Sequence, residues 1–426
     1  MKTTILLIYI AIISIQTSLC QVVSEWRGLG RTGIYNETDL LKKWPENGPK
    51  LLWSATDLPK GNSSASIGNN TIYLTGMKDN MDLLIALDMN GVIKWQTPYG
   101  RAWDKSFPES RSTPTVEKDR IYVSSGFGDV ACIDANNGKI FWTVETNEKF
   151  GGTTGRWGIA ESLLVFDNKV FFTAGGNKTT TVALNKLTGE TLWMTEGLMD
   201  NPSYSSPILI EKSGKMQLIS VAEKNILGIS PADGKIEWKF DFGIYCQENR
   251  NNHATTPLYY NNQIFVSSGY DHKSVMLNLS DNLSSVSIAW VDSVLDNHLG
   301  GVLRVGDYIY GSNWLNNSMG RWVCLNWKSG KVQYDTTWIN KGTIIYAEGN
   351  LYCYEEKTGN VALVKAIPEK FEITSSFKVP LGAGPHWAHP VISNGILYIR
   401  HSNTLMAYDI KNTNNKMPGF ITFEVD

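Results

Sequence analysis

The sequence has 426 residues and a formal net charge of −2 at pH 7. This near-neutral balance argues against nucleic acid or an acidic membrane surface as a partner. Charged residues make up 19% of the chain, below the usual ~25%, whereas 15 Trp, 18 Tyr and 38 Gly are present. Aromatic residues combined with many glycine turns favour an all-β protein.

Residues 1–20 have the form of a secretory signal peptide. Lys2 precedes the apolar run ILLIYIAIIS, which is followed by the small-residue exit IQTSLC. We expect cleavage after Cys20 and export of a soluble chain to the periplasm or the extracellular space. Acylation of Cys20, as in a lipoprotein, is the alternative, although Thr17 and Leu19 make a poor lipobox. The run is shorter than the ~20 residues of a membrane span, and we expect no transmembrane segment in the mature chain.

Residues 21–49 are predicted to be an N-terminal entry segment. It contains GLGRTG at residues 28–33. This glycine-rich stretch is not expected to bind phosphate, because no predicted strand precedes it and no predicted helix follows it.

One pattern then recurs along the chain: a small or apolar pair, an Asp, Asn or Ser, a turn ending in Gly, and an aromatic residue. It is CIDANNGKIFW at residues 132–142 and returns as ALDMNGVIKW, ALNKLTGETLW, GISPADGKIEW and CLNWKSGKVQY. The closing aromatic residues recur every 42 to 52 residues, at Trp53, Trp95, Trp142, Trp193, Trp238, Trp290, Tyr334 and Phe377. Periods of ~40–50 residues with only strand signals predict the blades of a β-propeller.

Each unit is expected to contain four antiparallel strands. In the second unit these are STPTV, RIYVSSG, DVACID and KIFWTVE, within residues 112–145. The Asp or Asn of the turn can accept backbone N–H bonds, and Gly supplies the positive φ of a tight reversal. The closing Trp offers a large rigid surface for packing between neighbouring sheets.

Eight units can be counted. Their first strands begin near Ser64, Thr113, Ser162, Ser205, Thr255, Gly300, Gly342 and Ala388. The eighth unit lacks a fourth strand, whereas PKLLW at residues 49–53 is a strand without a unit. We therefore predict an all-β, eight-bladed propeller at residues 50–412, closed by the N-terminal strand in the last blade, which leaves no unpaired edge. Residues 413–426 are predicted to be a C-terminal tail.

The four mature cysteines could form disulfides in an exported protein. However, Cys132 and Cys324 occupy the same position in the second and sixth units. These blades lie opposite each other in an eight-membered ring, much farther apart than the ~7 Å that a disulfide permits between Cα atoms. We expect both thiols to be free and buried.

The pattern A-L-D-x-x-T-G-K-x-x-W resembles the pyrroloquinoline quinone (PQQ) repeat, over about residues 50–410. The repeat occurs in quinoprotein alcohol dehydrogenases and in the propeller lipoprotein of the outer-membrane β-barrel assembly machinery. Residues 26–53 also resemble the entry segment of bacterial PQQ-like propeller proteins. The resemblance implies an eight-bladed fold, and two functions follow from it. The first is a binding or scaffolding module; the alternative is a PQQ-dependent dehydrogenase that oxidises an alcohol or sugar.

Loops that enter the first strands should rim one mouth of the central channel, where binding sites often form. The candidate ligand-binding residues are Arg111, Arg156, Trp157, Glu161, Tyr204, Asn252, His253, His298, Trp387 and His389. Two arginines favour an anionic ligand, and the Trp rings suit a flat or sugar-like body. A solvated funnel without a ligand is the alternative. We expect a monomer that binds such a small molecule or a protein partner.

A PQQ site with calcium needs oxygen ligands such as Glu and Asn, a carboxylate base and cations for the cofactor's carboxylates. The rim also offers Glu109 and Asn297 for these roles. However, the adjacent Cys–Cys pair of many quinoprotein alcohol dehydrogenases is absent, and so is the C-x-x-C-H motif that attaches haem. Catalytic residues are not assigned.

A metal site could combine His253, His298 and His389 from three blades. No short His-x-x-x-His spacing supports this combination. Hydrogen-bonded loop histidines are the favoured interpretation, and no metal site is predicted.

Overall fold

A computed structural model describes residues 23–247 and 252–412. The predicted signal peptide at 1–20 and the tail at 413–426 lie outside the described residues. The described chain forms eight sheets, each containing four antiparallel strands, and two of these sheets gain a fifth strand. The predicted eight-bladed β-propeller is thereby confirmed.

The first strands of the chain lie in its N-terminal segment: β1 (Val23–Ser24), β2 (Ile34–Tyr35) and β3 (Lys50–Ala55). Blade one contains β4 (Ser66–Gly68), β5 (Thr71–Lys78), β6 (Met81–Leu87) and β7 (Ile93–Arg101). Blade two contains β8 (Thr115–Glu117), β9 (Arg120–Ser124), β10 (Asp129–Asp134) and β11 (Ile140–Glu145). Blade three contains β12 (Leu164–Phe166), β13 (Lys169–Thr173), β14 (Thr181–Asn185) and β15 (Thr191–Met194). Blade four contains β16 (Ile208–Lys212), β17 (Lys215–Val221), β18 (Asn225–Ile229) and β19 (Ile236–Asp241).

Blade five contains β20 (Leu258–Tyr260), β21 (Gln263–Val266), β22 (Ser274–Leu279) and β23 (Val286–Asp292). Blade six contains β24 (Val302–Val305), β25 (Tyr308–Ser312), β26 (Trp322–Asn326) and β27 (Val332–Thr336). Blade seven contains β28 (Gly342–Ala347), β29 (Asn350–Glu355), β30 (Asn360–Lys365) and β31 (Ile373–Lys378). Blade eight contains β32 (Val391–Ser393), β33 (Ile396–His401) and β34 (Thr404–Asp409). One short α-helix, α1 (Thr146–Phe150), and two 3-10 turns (Leu29–Arg31 and Gly243–Tyr245) are also present.

Strand β3 closes the ring, as predicted from the missing fourth strand of the last unit. It pairs antiparallel with β34, with Lys50 opposite Asp409 and Ala55 opposite Leu405. The eighth sheet therefore has the order β3-β34-β33-β32. Strands from the two ends of the described chain thus share one blade, and the edge that β34 would otherwise expose is paired.

In five of the eight blades, the aromatic residue that closes the repeat packs on the glycine of the next blade's turn. At Gly189 the backbone has φ +74°, and an added Cβ would lie 2.8 Å from the Trp142 ring. A side chain here would be strained and would also push the ring away. The same pairing joins Trp53 to Gly91, Trp95 to Gly138, Trp193 to Gly234 and Trp290 to Gly330. The recurring Gly and Trp are therefore the two halves of one interface between blades.

Blade four departs from this arrangement. The turn of blade five, residues 280–285, contains no glycine. The Trp238 ring instead lies over Gly228 of its own blade, against which an added Cβ would clash. Its Nε1 donates to Gln217 Oε1 at 2.9 Å, and Gln217 Nε2 donates to the Leu283 carbonyl of the blade-five turn at 2.8 Å.

The N-terminal segment crosses the ring before it reaches β3. Strand β1 pairs with β8 of blade two, and β2 pairs in parallel with β28 of blade seven. Arg31 donates to the Ser162 and Leu163 carbonyls of blade three. Arg27 donates to the Val302 carbonyl of blade six. The GLGRTG stretch is thus a turn that places two buried arginines against several blades.

The four cysteines of the described chain are free, and Cys132 and Cys324 are fully buried in β10 and β26. This confirms the thiol prediction for these two residues. Within residues 23–247 and 252–412, no helix combines the length and the apolar character needed to cross a bilayer.

Candidate functional site

A cavity of about 520 Å³ lies where loops from several blades meet. Eighteen residues line it: Trp26, Asn62, Phe107, Arg111, Trp157, Ala160, Ser162, Tyr204, Ser206, Asn252, Ala254, Tyr270, His298, Leu299, Asn317, Glu356, Trp387 and His389. Seven of the ten residues predicted from the sequence are among them: Arg111, Trp157, Tyr204, Asn252, His298, Trp387 and His389. The volume falls within the usual range of small-molecule sites.

The other three predicted residues lie elsewhere. Arg156 is exposed outside the lining, and its guanidinium carbon is 4.9 Å from the centroid of the Trp157 ring. Glu161 is buried behind the cavity, where its Oε2 accepts the Thr173 N–H at 3.1 Å. His253 is also fully buried and bonds to Ser268 and to the Glu223 carbonyl. Alternate residues of an extended loop face opposite sides, so these neighbours of lining residues point away.

Aromatic rings dominate the walls. The Phe107 ring lies between two tryptophans, with its centroid 5.7 Å from Trp157 and 5.6 Å from Trp387. Phe107 was not predicted, because it stands in the connection between β7 and β8 and outside the repeat pattern. Tyr204 holds this wall in place, since its hydroxyl accepts the Trp157 N–H at 3.0 Å.

The N-terminal segment contributes Trp26 to the lining, which the sequence analysis also missed. The Trp26 ring packs edge-on against His389, with centroids 5.2 Å apart. His389 Nδ1 accepts from Arg27 at 3.1 Å, and its Nε2 donates to the Leu299 carbonyl at 3.1 Å. Burial and the charge of Arg27 hold the pKa of His389 well below its usual value, so the ring is neutral.

A second histidine faces the cavity beside a tyrosine. His298 Nε2 lies 2.8 Å from the Tyr270 hydroxyl. Burial lowers the pKa of His298 to about 3, and the charge of Lys341 acts in the same direction. Its Nδ1 is buried and has no hydrogen-bond partner among the described residues. The ring is therefore neutral, and its Nδ1 is an unsatisfied polar atom behind the cavity wall.

The charged groups of the lining are already paired with protein atoms. Arg111 donates to the carbonyls of Trp157, Ser106 and Phe107 at 2.7, 3.2 and 2.6 Å. Glu356 is the one carboxylate of the described lining, and its Oε1 lies 2.7 Å from Lys341 Nζ. Burial raises the pKa of Glu356.

These residues do not provide the set that PQQ and calcium require. Of the residues that the sequence offered as calcium ligands, Glu109, Glu161 and Asn297 lie outside the lining, and Glu161 and Asn297 are buried. The Glu109 carboxylate accepts from Asn62 and Ser402. The Asn297 amide bonds to Thr255 and to the Ser312 carbonyl. The paired Glu356 leaves no free carboxylate base among the described lining residues. His298 and His389 do line the cavity, whereas His253 does not, so the three-histidine metal site is not assembled.

Comparison with known proteins places these features in context. The family model PQQ_2, described as "Outer membrane protein assembly factor BamB", matches residues 80–362. The outer membrane protein assembly factor BamB of Kangiella koreensis is 25% identical over 141 residues, which are 32% of this chain and 33% of that protein. The aligned region therefore spans about a third of that relative.

Two solved structures share the fold at low sequence identity. BamB from Moraxella catarrhalis superposes with a TM-score of 0.61 at 13% identity, over 85% of this chain and 99% of that chain. A europium-containing methanol dehydrogenase superposes with a TM-score of 0.52 at 11% identity, over 88% of this chain and 89% of that chain. Both an assembly factor and an enzyme thus have this architecture, so the fold alone does not choose between the two functions.

Proposed function

Because the chain belongs to the family of the outer membrane protein assembly factor BamB, we propose that it is an exported binding module with no catalytic role. The name of the BamB relatives, an assembly factor, supports protein partners for this chain as well. A small-molecule site at the channel mouth is the second part of the proposal. The signal peptide that the sequence predicts at residues 1–20 supports export.

The ligand that the cavity suits best is neutral and sugar-like. The observation that carries this proposal is the aromatic wall of Trp157, Phe107 and Trp387, whose rings can stack on the apolar face of a pyranose. Asn252 also lines the cavity, and its side-chain amide can bond hydroxyl groups. An anionic ligand is less well served, because Arg111 already donates to three carbonyls and Arg156 lies outside.

Calorimetric titration with a panel of neutral saccharides, uronic acids and PQQ with calcium tests the proposal. We expect a neutral saccharide to bind, and Trp387→Ala to weaken that binding about tenfold, equivalent to ~1.4 kcal/mol. Phe141→Ala is the matched control, because Phe141 is an exposed aromatic residue on β11 and not in the cavity lining. It should bind the saccharide as tightly as the parent.

The other outcomes separate the alternatives. Arg156→Ala should leave binding of a neutral saccharide unchanged; a loss of affinity for uronic acids in this variant would instead favour an anionic ligand. A quinone chromophore that forms with PQQ and calcium, together with dye reduction by an alcohol or sugar, would replace the binding module with the dehydrogenase. If no member of the panel binds, the mouth is a solvated funnel.

A further inference from the structure

Three potential metal ligands meet at the junction of blades four and five, outside the cavity lining. Cys246 follows the 3-10 turn Gly243–Tyr245, which comes after β19 of blade four. His253 precedes β20, and His272 lies in the connection between β21 and β22 of blade five. The three ligand atoms all lie within 4.8 Å of one another. Cys246 is half-buried, and both histidines are buried.

Hydrogen bonds fix which nitrogen of each imidazole carries its lone pair. His253 Nε2 lies 2.7 Å from the Glu223 carbonyl, which can only accept, so Nε2 carries the proton. In the neutral ring, the lone pair is then on Nδ1. Nδ1 accepts from Ser268 Oγ at 2.8 Å. Ser268 Oγ has only one hydrogen to donate, so it accepts from His272 Nδ1 at 3.0 Å, which leaves the His272 lone pair on Nε2.

This arrangement is typical of metal-binding histidines. Such a histidine commonly donates its other N–H to a backbone carbonyl, which fixes the tautomer and the ring orientation. The Glu223 carbonyl does this for His253, and Ser268 Oγ does it for His272. A metal bound by these residues would coordinate His253 Nδ1, and the present hydrogen bond from Ser268 Oγ to that nitrogen would break.

We propose that Cys246, His253 and His272 bind a transition metal of the zinc or copper type. One thiolate and two imidazoles are a ligand set that both metals accept. Bond lengths of ~2.0–2.3 Å around a tetrahedral metal place its ligand atoms roughly 3.3–3.8 Å apart, so atoms separated by the limit of 4.8 Å would have to approach each other by about 1 Å. Binding breaks the S–H bond of Cys246, whose sulfur forms the metal bond while the proton leaves to solvent.

The metal would connect two blades. Cys246 belongs to the connection that leaves blade four, and its neighbour Tyr245 accepts a hydrogen bond from the Lys273 N–H of blade five at 3.0 Å. A ligand that binds only the folded state raises its stability. The metal would therefore stabilise the interface between blades four and five. This is the interface at which Gln217 replaces the Trp–Gly contact.

Cobalt(II) is the probe for this site, because a thiolate ligand gives Co(II) an intense near-ultraviolet charge-transfer band. The mature protein, without a histidine tag and stripped with a chelator, is titrated with Co(II) and then with Zn(II). We expect one Co(II) per chain, a thiolate band, its loss on addition of Zn(II), and a higher melting temperature with either metal.

Cys246→Ala should lose the thiolate band, and His272→Gln should lose the bound metal. Cys132→Ala and His298→Gln are the matched controls and should keep both, because they change a thiol and an imidazole outside the cluster. Absence of a thiolate band in the folded parent protein overturns the proposal. Equal metal content in the parent and in His272→Gln also overturns the proposal. This second variant keeps the test decisive if Cys246→Ala does not fold.

Discussion

The interface between blades two and three and the interface between blades four and five pack the same residue type in two ways. Trp142 rests on Gly189 of the next blade, and its Nε1 donates to the Lys186 carbonyl of that blade's turn at 3.1 Å. Trp238 rests on Gly228 of its own blade and reaches the next turn only through Gln217. The position of one glycine therefore decides where the ring lies.

The comparison shows that both indoles are linked by hydrogen bonds to the neighbouring turn, directly for Trp142 and through Gln217 for Trp238. Gln217 stands at the strand position that Lys169 occupies in blade three, since each lies two residues before the residue paired with Gly228 or Ala183. Gln217 is buried, whereas Lys169 is half-buried and pairs with the exposed Asp167. A position that is partly exposed in blade three is therefore buried in blade four, where Gln217 links Trp238 to the turn of blade five.

The largest effect should come from removing the ring at either interface. Trp142 and Trp238 are 8% and 6% exposed, so Trp142→Ala and Trp238→Ala should each lower the free energy of unfolding by about 3–5 kcal/mol. Urea denaturation measures the change. Phe141→Ala, which alters a neighbouring exposed ring, should cost less than about 1 kcal/mol. A similarly small cost for Trp238→Ala would show that its ring does not stabilise the interface.

The residues that precede the first strands of blades three and five should contribute differently to the pH dependence of stability. Glu161 and Thr255 hold equivalent positions, because each lies three residues before the first strand of its blade, β12 (Leu164–Phe166) and β20 (Leu258–Tyr260). Burial raises the pKa of Glu161 from 4.5 to about 7. The folded state then keeps a proton that the unfolded chain releases, so the free energy of unfolding falls as pH rises between these values.

Glu161→Gln should remove about 2–3 kcal/mol of this pH-dependent change, as measured by urea denaturation at several pH values between 4 and 8. A residual slope of the same sign should remain, because burial also raises the pKa values of Asp82 and Asp296 to about 7. Thr255→Ser is the control and should leave the slope unchanged. An unchanged slope in Glu161→Gln would mean that this carboxyl titrates normally.

Replacing the linking residue should have an intermediate effect. Gln217→Met keeps the length of the side chain but leaves the Trp238 N–H and the Leu283 carbonyl without their present partner. Unsatisfied buried groups cost ~1–3 kcal/mol each, so we expect a loss of roughly 2 kcal/mol in thermal or urea unfolding. Lys169→Met at the equivalent position should cost less than about 1 kcal/mol. Equal costs at both positions would contradict the proposed link.

The smallest expected effect is the difference in stability between two variants that each remove one indole N–H group. Trp238→Phe leaves Gln217 Oε1 buried without its donor, whereas after Trp142→Phe the Lys186 carbonyl still accepts from the Tyr122 hydroxyl at 3.2 Å. Trp238→Phe should therefore be the more destabilising of the two by about 1 kcal/mol. The reverse order would mean that the glutamine finds another donor.

The ring was predictable because its determinants lie close together in the sequence. Each repeat carries its own turn and closing aromatic residue, and the strand at residues 49–53 had no other blade to join. Blade four shows the limit of this reasoning: its sequence matches the repeat, yet the missing glycine lies in the next unit. Only the three-dimensional contact shows that Trp238 turns back over Gly228.

The cavity was predictable in part, because loops before the first strands share one face. Trp26 and Phe107 were missed since both stand outside the repeats, in the N-terminal segment and in the β7–β8 connection. Their signal was weak: a run of turn-forming glycines beside Trp26 and an insertion before the second unit. The cluster of Cys246, His253 and His272 could not be found from spacing, because its members come from two loops that meet only in the folded ring.

Ring closure also dictates an order of events during folding. Lys50 pairs with Asp409, and Arg27 bonds to His389 across 362 residues of chain. A polypeptide that emerges with its N-terminus first presents these early residues long before their partners exist. Contacts of such high sequence separation slow folding far more than they reduce final stability. Strand β3 must therefore wait, unpaired, until the last blade is made, and in that interval the unfinished propeller is most exposed to aggregation and proteolysis.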